Sequence, residues 1–212
     1  MLKIGLTGRI IYDSQHGEYR ECLDVRWAAF VRNRMDALPF LIPSAIDPAA
    51  YINEVKISAV ILTGGNDIGS ISGRLQDVYR DQHETKIIDH SLKYGIPIIG
   101  VCRGMQMIAT YFREEVKPVT NHTSVIHSIK ANEKTRFSGI INNLSPVNSY
   151  HDFGVSKLPD DFETLAYSDD GVIEAFMLEP KKVFGMMWHP ERVLSPIDQI
   201  KHAKLIKDMI NA

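Results

Sequence analysis

Cys102 stands in the stretch Ile99, Gly100, Val101, Cys102, Arg103, Gly104, Met105, Gln106, and far downstream the chain carries Trp188, His189, Pro190, Glu191. An apolar run ends at the cysteine, and Met105, Met107, Ile108 and Ala109 continue beyond it with helical spacing. That pattern predicts a strand, a sharp turn and a helix, with the thiol on the turn and the next amide at the helix N-terminus. A free thiol with a pKa near ~8.5 is mostly protonated at neutral pH, so fast thiolate chemistry needs the helix field and a neighbouring imidazole. His189 can serve as that base and Glu191 as the carboxylate that orients it.

The elements that must hold these groups follow from hydrophobic patterning. Residues 3–6 and 57–62 are short apolar runs, the second stopping at Thr63, Gly64, Gly65, Asn66, Asp67, where paired glycines permit a tight turn. A polar segment at 7–19 leads to a helix at about 23–35. Pro39 and Pro43 confine a strand at 40–42 to an edge or a strand end. A helix is expected over 84–94, ended by Gly95 before Pro97. Strands alternating with helices predict right-handed crossovers and a mostly parallel sheet covered on both faces, with functional loops at the carboxyl ends of the strands. Beyond Thr110 the runs 124–129, 147–150, 163–167, 172–177 and 183–188 predict an antiparallel or mixed extension, and Ile197, Ile200, Ala203, Ile206 and Ile210 mark a closing amphipathic helix.

With 212 residues, 44% of them hydrophobic, the chain can bury one substantial core, and one domain over 1–212 is expected. The net charge of −2 and the lack of a long basic run argue against nucleic acid and a polybasic membrane surface, leaving small molecules as partners. The opening apolar residues are too few for a signal-peptide core or a membrane span, so a cytoplasmic location is expected. Cys22 and Cys102, the only cysteines, are read as thiols, with Cys22 a structural residue at the start of a helix. His122, His127 and His151 lack a close pair on one helix face and any cysteine cluster, so no metal and no cofactor are expected. Arg80 and Asp81 read as a surface ion pair at a helix start, structural and worth under ~1 kcal/mol.

Taken together, the Gly64 to Asp67 loop, Arg80–Asp81, the Cys102 elbow, Val147–Asn148–Ser149 and His189–Pro190–Glu191 resemble the class I glutamine amidotransferase superfamily, and within it the free-standing γ-glutamyl hydrolases grouped with cysteine peptidases (peptidase C26). The resemblance spans nearly the whole chain. It implies a flavodoxin-like three-layer α/β sandwich with a small antiparallel extension. It also implies a Cys102–His189–Glu191 triad that attacks a γ-glutamyl carbonyl, releases an amine and hydrolyses the thioester. The family's oxyanion hole maps onto the backbone amides of Gly65 and Arg103, where loss of one donor typically costs about 3 kcal/mol. Gln106, Ser149 and Tyr150 fall where the family holds the glutamyl amino and carboxylate groups.

The N-terminal segment adds Arg9, Arg20 and Arg26, and guanidinium groups suit phosphate oxygens. With Ile173–Glu174–Ala175–Phe176 and the Met187 to Arg192 block, this segment looks like the γ-glutamyl-CDP-amidate hydrolases. These release glutamate and cytidine diphosphoramidate on the route to the O-methyl phosphoramidate of capsule polysaccharide. That resemblance assigns Arg9 and Arg20 to the substrate. Three readings stand beside it: hydrolysis of a γ-glutamyl polyamine or γ-glutamyl-aminobutyrate, a glutaminase subunit feeding a partner synthetase, and a non-enzymatic thiol sensor. Against the last, Arg103 rather than a histidine follows the cysteine. A homodimer and a synthetase partner are both compatible with the chain.

Overall fold

The computed structural model describes residues 1–144 and 146–211. In its first half β1 (Lys3–Thr7), β2 (Arg9–Asp13) and β3 (Glu18–Cys22) precede α1 (Val25–Asn33), β4 (Leu38–Ile42), α2 (Pro48–Val55) and β5 (Ala59–Leu62). A short α3 (Gly69–Ser72) and a long α4 (Leu75–Tyr94) lead to β6 (Ile98–Val101) and α5 (Arg103–Tyr111). The second half runs through β7 (Val116–Pro118), β8 (Thr123–His127), β9 (Ile129–Ala131), α6 (Ser138–Asn142), β10 (Val147–Tyr150) and β11 (Phe153–Val155). It closes with β12 (Glu163–Ser168), β13 (Ile173–Leu178), β14 (Val183–Met186) and α7 (Pro196–Ile210).

Five strands, β4-β1-β5-β6-β14, lie side by side and parallel, and β13, β11 and β7 continue the sheet antiparallel, with β12 and β9 branching from β13. Strands β5, β6 and β14 are buried at every residue, as parallel strands covered on both faces must be. On one face Trp27 and Phe30 of α1 pack with Phe137 and Ile141 around α6 and with Leu205 and Ile206 of α7. On the other, Ile52 of α2 and Ile87 and Ile88 of α4 pack with Met105 and Ile108 of α5. The three-layer α/β sandwich with an antiparallel extension is therefore the observed architecture. Because β1 has β4 on one side and β5 on the other, the chain reverses its direction of winding beside β1, and the carboxyl ends of β1, β5, β6 and β14 surround that point.

Three local expectations are corrected. The polar stretch after β1 is a hairpin: β2 pairs antiparallel with β3 from Arg9–Cys22 to Asp13–Glu18, around a turn with Gly17 at φ 68°. Of its residues only Ile10 is buried, so no alternation marked it. Cys22 accordingly ends a strand opposite Arg9 and does not start a helix. Helix α4 begins at Leu75, well before 84, because its first turns bury Asp77, Arg80, His83 and Glu84 in place of an apolar stripe.

Candidate active site

Cys102 sits between β6 and α5 with φ 53° and ψ −109°, a conformation that L residues other than glycine rarely adopt. Two glycines make this elbow possible. A Cβ on Gly100 would lie 2.5 Å from the Gly104 carbonyl carbon, and one on Gly104 would lie 2.0 Å from the Leu62 oxygen. The helix can thus press against the ends of β5 and β6, holding the Cys102 side chain 6% exposed at the helix N-terminus.

The base arrives from the end of β14. His189 is buried with Cys102 beside it on one side, and its Nδ1 lies 2.8 Å from Glu191 Oε1 on the other. A single 3-10 turn over Pro190–Arg192 brings the carboxylate back to the ring. Burial alone would push this imidazole down, but the hydrogen bonds and charges of Cys102 and Glu191 outweigh it and raise His189 to about 9. Asn148 clamps the histidine backbone from both sides, its Oδ1 accepting from the His189 N–H at 2.8 Å and its Nδ2 donating to the His189 carbonyl at 2.9 Å. The sequence marked Asn148 only as part of a motif.

Facing the thiol, the loop after β5 presents Gly64 and Gly65. A Cβ at Gly64 would stand 2.6 Å from His189 Cε1, so only glycine lets the loop approach the imidazole this closely. Gly65 and Asn66 both take positive φ, 83° and 61°. Neither the Gly65 nor the Arg103 N–H has a hydrogen-bond partner among the described residues, and Arg103 opens α5, where the first amides have none within the helix.

Beneath the loop lies a buried ion cluster. Arg80 is 1% exposed and donates to Thr63 O at 2.7 Å, Gly64 O at 3.3 Å, Gly65 O, and Glu84 Oε1 at 3.0 Å. Arg103, equally buried, pairs with Glu84 and Asp81. Asp81 also accepts from the Gly69 N–H at 2.7 Å, and Thr7 donates to Glu84 at 2.8 Å. Burial lowers Arg80 to about 10 against the pull of Glu84, so it remains charged at neutral pH. The expectation of a surface ion pair at a helix start fails here: Arg80 and Asp81 lie inside α4, and the arginine ties the glycine loop to the core.

Around Cys102 the walls form a cleft of about 130 Å³ that includes Gly65, Arg103, Gln106, Tyr150, His189 and Arg192. Gln106 is buried and donates to Phe153 O at 2.8 Å. The Tyr150 ring packs edge-on to His189 at 5.7 Å, and the Arg192 guanidinium lies 4.8 Å over it. Ser149 alternates to the opposite face of β10, buried, with its hydroxyl donating to His122 O at 2.6 Å, so its side chain does not join these walls. Arg9 reaches over Gly65 and has no ion-pair or hydrogen-bond partner for its guanidinium among the described residues. Arg20 does not come to the cleft: it lies on the exposed hairpin, paired with Asp13 at 2.8 Å and Glu18 at 2.6 Å. Arg26 is likewise engaged by Asp24. Arg192, given no role from sequence, lines the cleft, its Nε 3.3 Å from Glu191 Oε1. Its position directly after Glu191 was the available signal.

The chain is 35% identical to the γ-glutamyl-CDP-amidate hydrolase of Campylobacter jejuni over 191 residues, covering 89% of this chain and 90% of the relative. It is 30% identical to one subunit of the glutamine-hydrolysing GMP synthase of Pyrococcus furiosus, covering 68% of this chain and 71% of the relative. A solved structure from Thermoplasma acidophilum, provisionally assigned as a GMP synthase component, superposes with a TM-score of 0.71 at 19% identity, over 100% of this chain and 93% of that one. The peptidase C26 model matches residues 4–191, and this chain belongs to that family.

Proposed function

We propose that the chain is a cysteine hydrolase of γ-glutamyl amide-type bonds, with Cys102 as nucleophile, His189 as proton carrier and Glu191 as its orienter. The observation that carries the reading is the buried relay: a thiol on a strained elbow, an imidazole beside it in the same cleft, and a carboxylate 2.8 Å behind the imidazole. In the reaction His189, raised to about 9, already holds the proton at neutral pH, and the Cys102 sulfur adds as thiolate to the γ-carbonyl carbon. The Gly65 and Arg103 amides receive the resulting oxyanion. As the tetrahedral adduct collapses, His189 gives its proton to the departing nitrogen and a γ-glutamyl thioester remains. Water, deprotonated by the same imidazole, then adds to the thioester. Sulfur leaves as thiolate, the imidazole keeps the proton, and glutamate is released.

For the leaving group we favour a nucleotide phosphoramidate, γ-glutamyl-CDP-amidate, as named for the C. jejuni relative, with the place in capsule phosphoramidate synthesis that this substrate implies. Support comes from Arg192, which lines the cleft of about 130 Å³, and from Arg9, which lies over Gly65 in the adjoining hollow that His189 and Arg192 share. A cavity below the usual few hundred Å³ cannot enclose a nucleotide conjugate, so the diphosphate would lie outside, against them. A second reading, a glutaminase that passes ammonia to a synthetase, draws on the GMP synthase relative.

Glutamate release is measured from γ-glutamyl-CDP-amidate, γ-glutamyl-aminobutyrate and glutamine, with wild type and Cys102→Ala. Selective release from the nucleotide conjugate, abolished by the substitution, is expected. Faster turnover of the aminobutyrate conjugate would overturn the substrate assignment. Glutaminase activity appearing only with a co-purified synthetase would favour the second reading.

A further inference from the structure

On the antiparallel extension, beside the cleft that His151 also lines, four side chains point at one spot. His122 precedes β8, His127 ends it, His151 follows β10 and Glu174 lies on β13. One ligand-capable atom from each lies within 4.8 Å of all the others. Glu174 is fully buried, and its two oxygens have no hydrogen-bond partner; nor have His122 Nδ1, His127 Nε2 and His151 Nε2, all equally shielded from solvent. Orphaned buried polar atoms normally cost free energy, and here one from each of four side chains converges.

The outer ring nitrogens are all engaged. His127 Nδ1 lies 3.0 Å from Ser128 O, His151 Nδ1 3.0 Å from Phe153 O, and His122 Nε2 3.1 Å from an Asp170 carboxylate oxygen. Carbonyls and carboxylates only accept, so each outer nitrogen carries the N–H and each neutral ring turns its lone pair inward. Three lone pairs and a carboxylate then converge, which is stable only around a cation. Imidazolium–carboxylate pairing is the competing explanation, and distances decide between them. Glu174 Oε1 lies 3.4, 3.7 and 3.6 Å from the inner nitrogens of His122, His127 and His151. Charge-assisted hydrogen bonds would draw these to about 2.7–2.9 Å, whereas a tetrahedral ion with bonds of roughly 2.0–2.1 Å spaces its ligands about 3.4 Å apart.

We infer that His122, His127, His151 and Glu174 form a structural site for a divalent zinc ion. Three imidazoles and one carboxylate suit zinc, and four protein ligands close the site. Asp170 behind His122 and the carbonyls behind the other two rings are the supporting contacts that metal-binding histidines require. A hollow lined by Asn121, Ser128, Asp169 and Asp170 gives entry. The ion would also brace the cleft: His151 follows Tyr150, and the Phe153 carbonyl that holds its ring also receives Gln106. Spacing along the chain does not mark such a site, because its ligands are gathered from the two ends of β8, the end of β10 and β13. The assignment is independent of the reaction proposed above.

The test is metal analysis of wild type, Cys102→Ala, Glu174→Gln and His127→Gln after dialysis against zinc chloride and removal of excess. His127 is the most exposed ligand, its side chain 18% exposed, so its replacement perturbs packing least. About one zinc per chain is expected in wild type and Cys102→Ala, with at least a tenfold loss in both ligand variants. A chelator should lower the wild-type Tm and zinc chloride should restore it, with no such response in His127→Gln. Co2+ loaded into Cys102→Ala should show the visible absorption of tetrahedral coordination. Wild type holding under a tenth of an equivalent, or undiminished zinc in His127→Gln, overturns the assignment.

Discussion

Replacing Arg80 with methionine separates a surface ion pair from a buried anchor. A surface pair at a helix start is worth under ~1 kcal/mol, and its loss would scarcely move the melting temperature. The observed arginine is 1% exposed, with Glu84, also buried, 3.0 Å away and the carbonyls of Thr63, Gly64 and Gly65 on its fork. Removing one partner of a buried pair costs roughly 3–5 kcal/mol, because the other charge stays desolvated. Glu84 keeps Arg103 and Thr7, which places the loss at the lower end, about 3 kcal/mol. At about 2–4 °C per kcal/mol for a chain of this size, Tm should fall by roughly 6–12 °C. Calorimetry of Arg80→Met reads this directly, and Arg80→Lys, which keeps the charge but not the fork, should fall between. Because the carbonyls released belong to the loop bearing the Gly65 amide, glutamate release should also drop when both proteins are fully folded at low temperature. A Tm within about 2 °C of wild type would refute the argument.

Two further substitutions probe the relay itself. Glu191→Gln removes a charge-assisted hydrogen bond worth about 1.5–3 kcal/mol, so the His189 imidazolium, raised to about 9, should lose its proton roughly one to two pH units lower. Since the acid form protonates the leaving nitrogen, the alkaline limb of the pH–rate profile should move down by that amount; an unmoved limb would show that Glu191 does not set the proton affinity. Gly64→Ala, whose new methyl would fall 2.6 Å from His189 Cε1, should displace the ring and cut activity about a hundredfold while circular dichroism stays native. Undiminished turnover would mean that the loop moves freely away from the histidine.

The elbow was legible because its information is local: two glycines around one cysteine, an apolar run before it and a helix after it. His189 and Glu191 were legible as a pair because, two residues apart, they can share one turn and meet. Arg80, Asp81, Glu84 and Arg103 were not legible, because charged residues are ordinarily solvated and nothing in their spacing shows that a parallel sheet will close over them. The same burial hid the first turns of α4. The hairpin of β2 and β3 escaped because it is exposed on both faces, and a strand without a buried side has no period to read. Arg20 illustrates the reverse error: its residue type suited phosphate, but its neighbours Asp13 and Glu18 were nearer.

The strained backbone at Cys102 sets two demands against each other at one residue. A side chain held at φ 53° and ψ −109° costs about 1–3 kcal/mol, a cost that glycine does not incur. The backbone at this point would therefore be less strained with glycine than with any residue bearing a Cβ. A duplicate gene released from the need to react would drift toward glycine at this position and shed this strain as it fell silent. Retention of the cysteine along a lineage thus records continuing use, and glycine there would be the sequence mark of a retired enzyme.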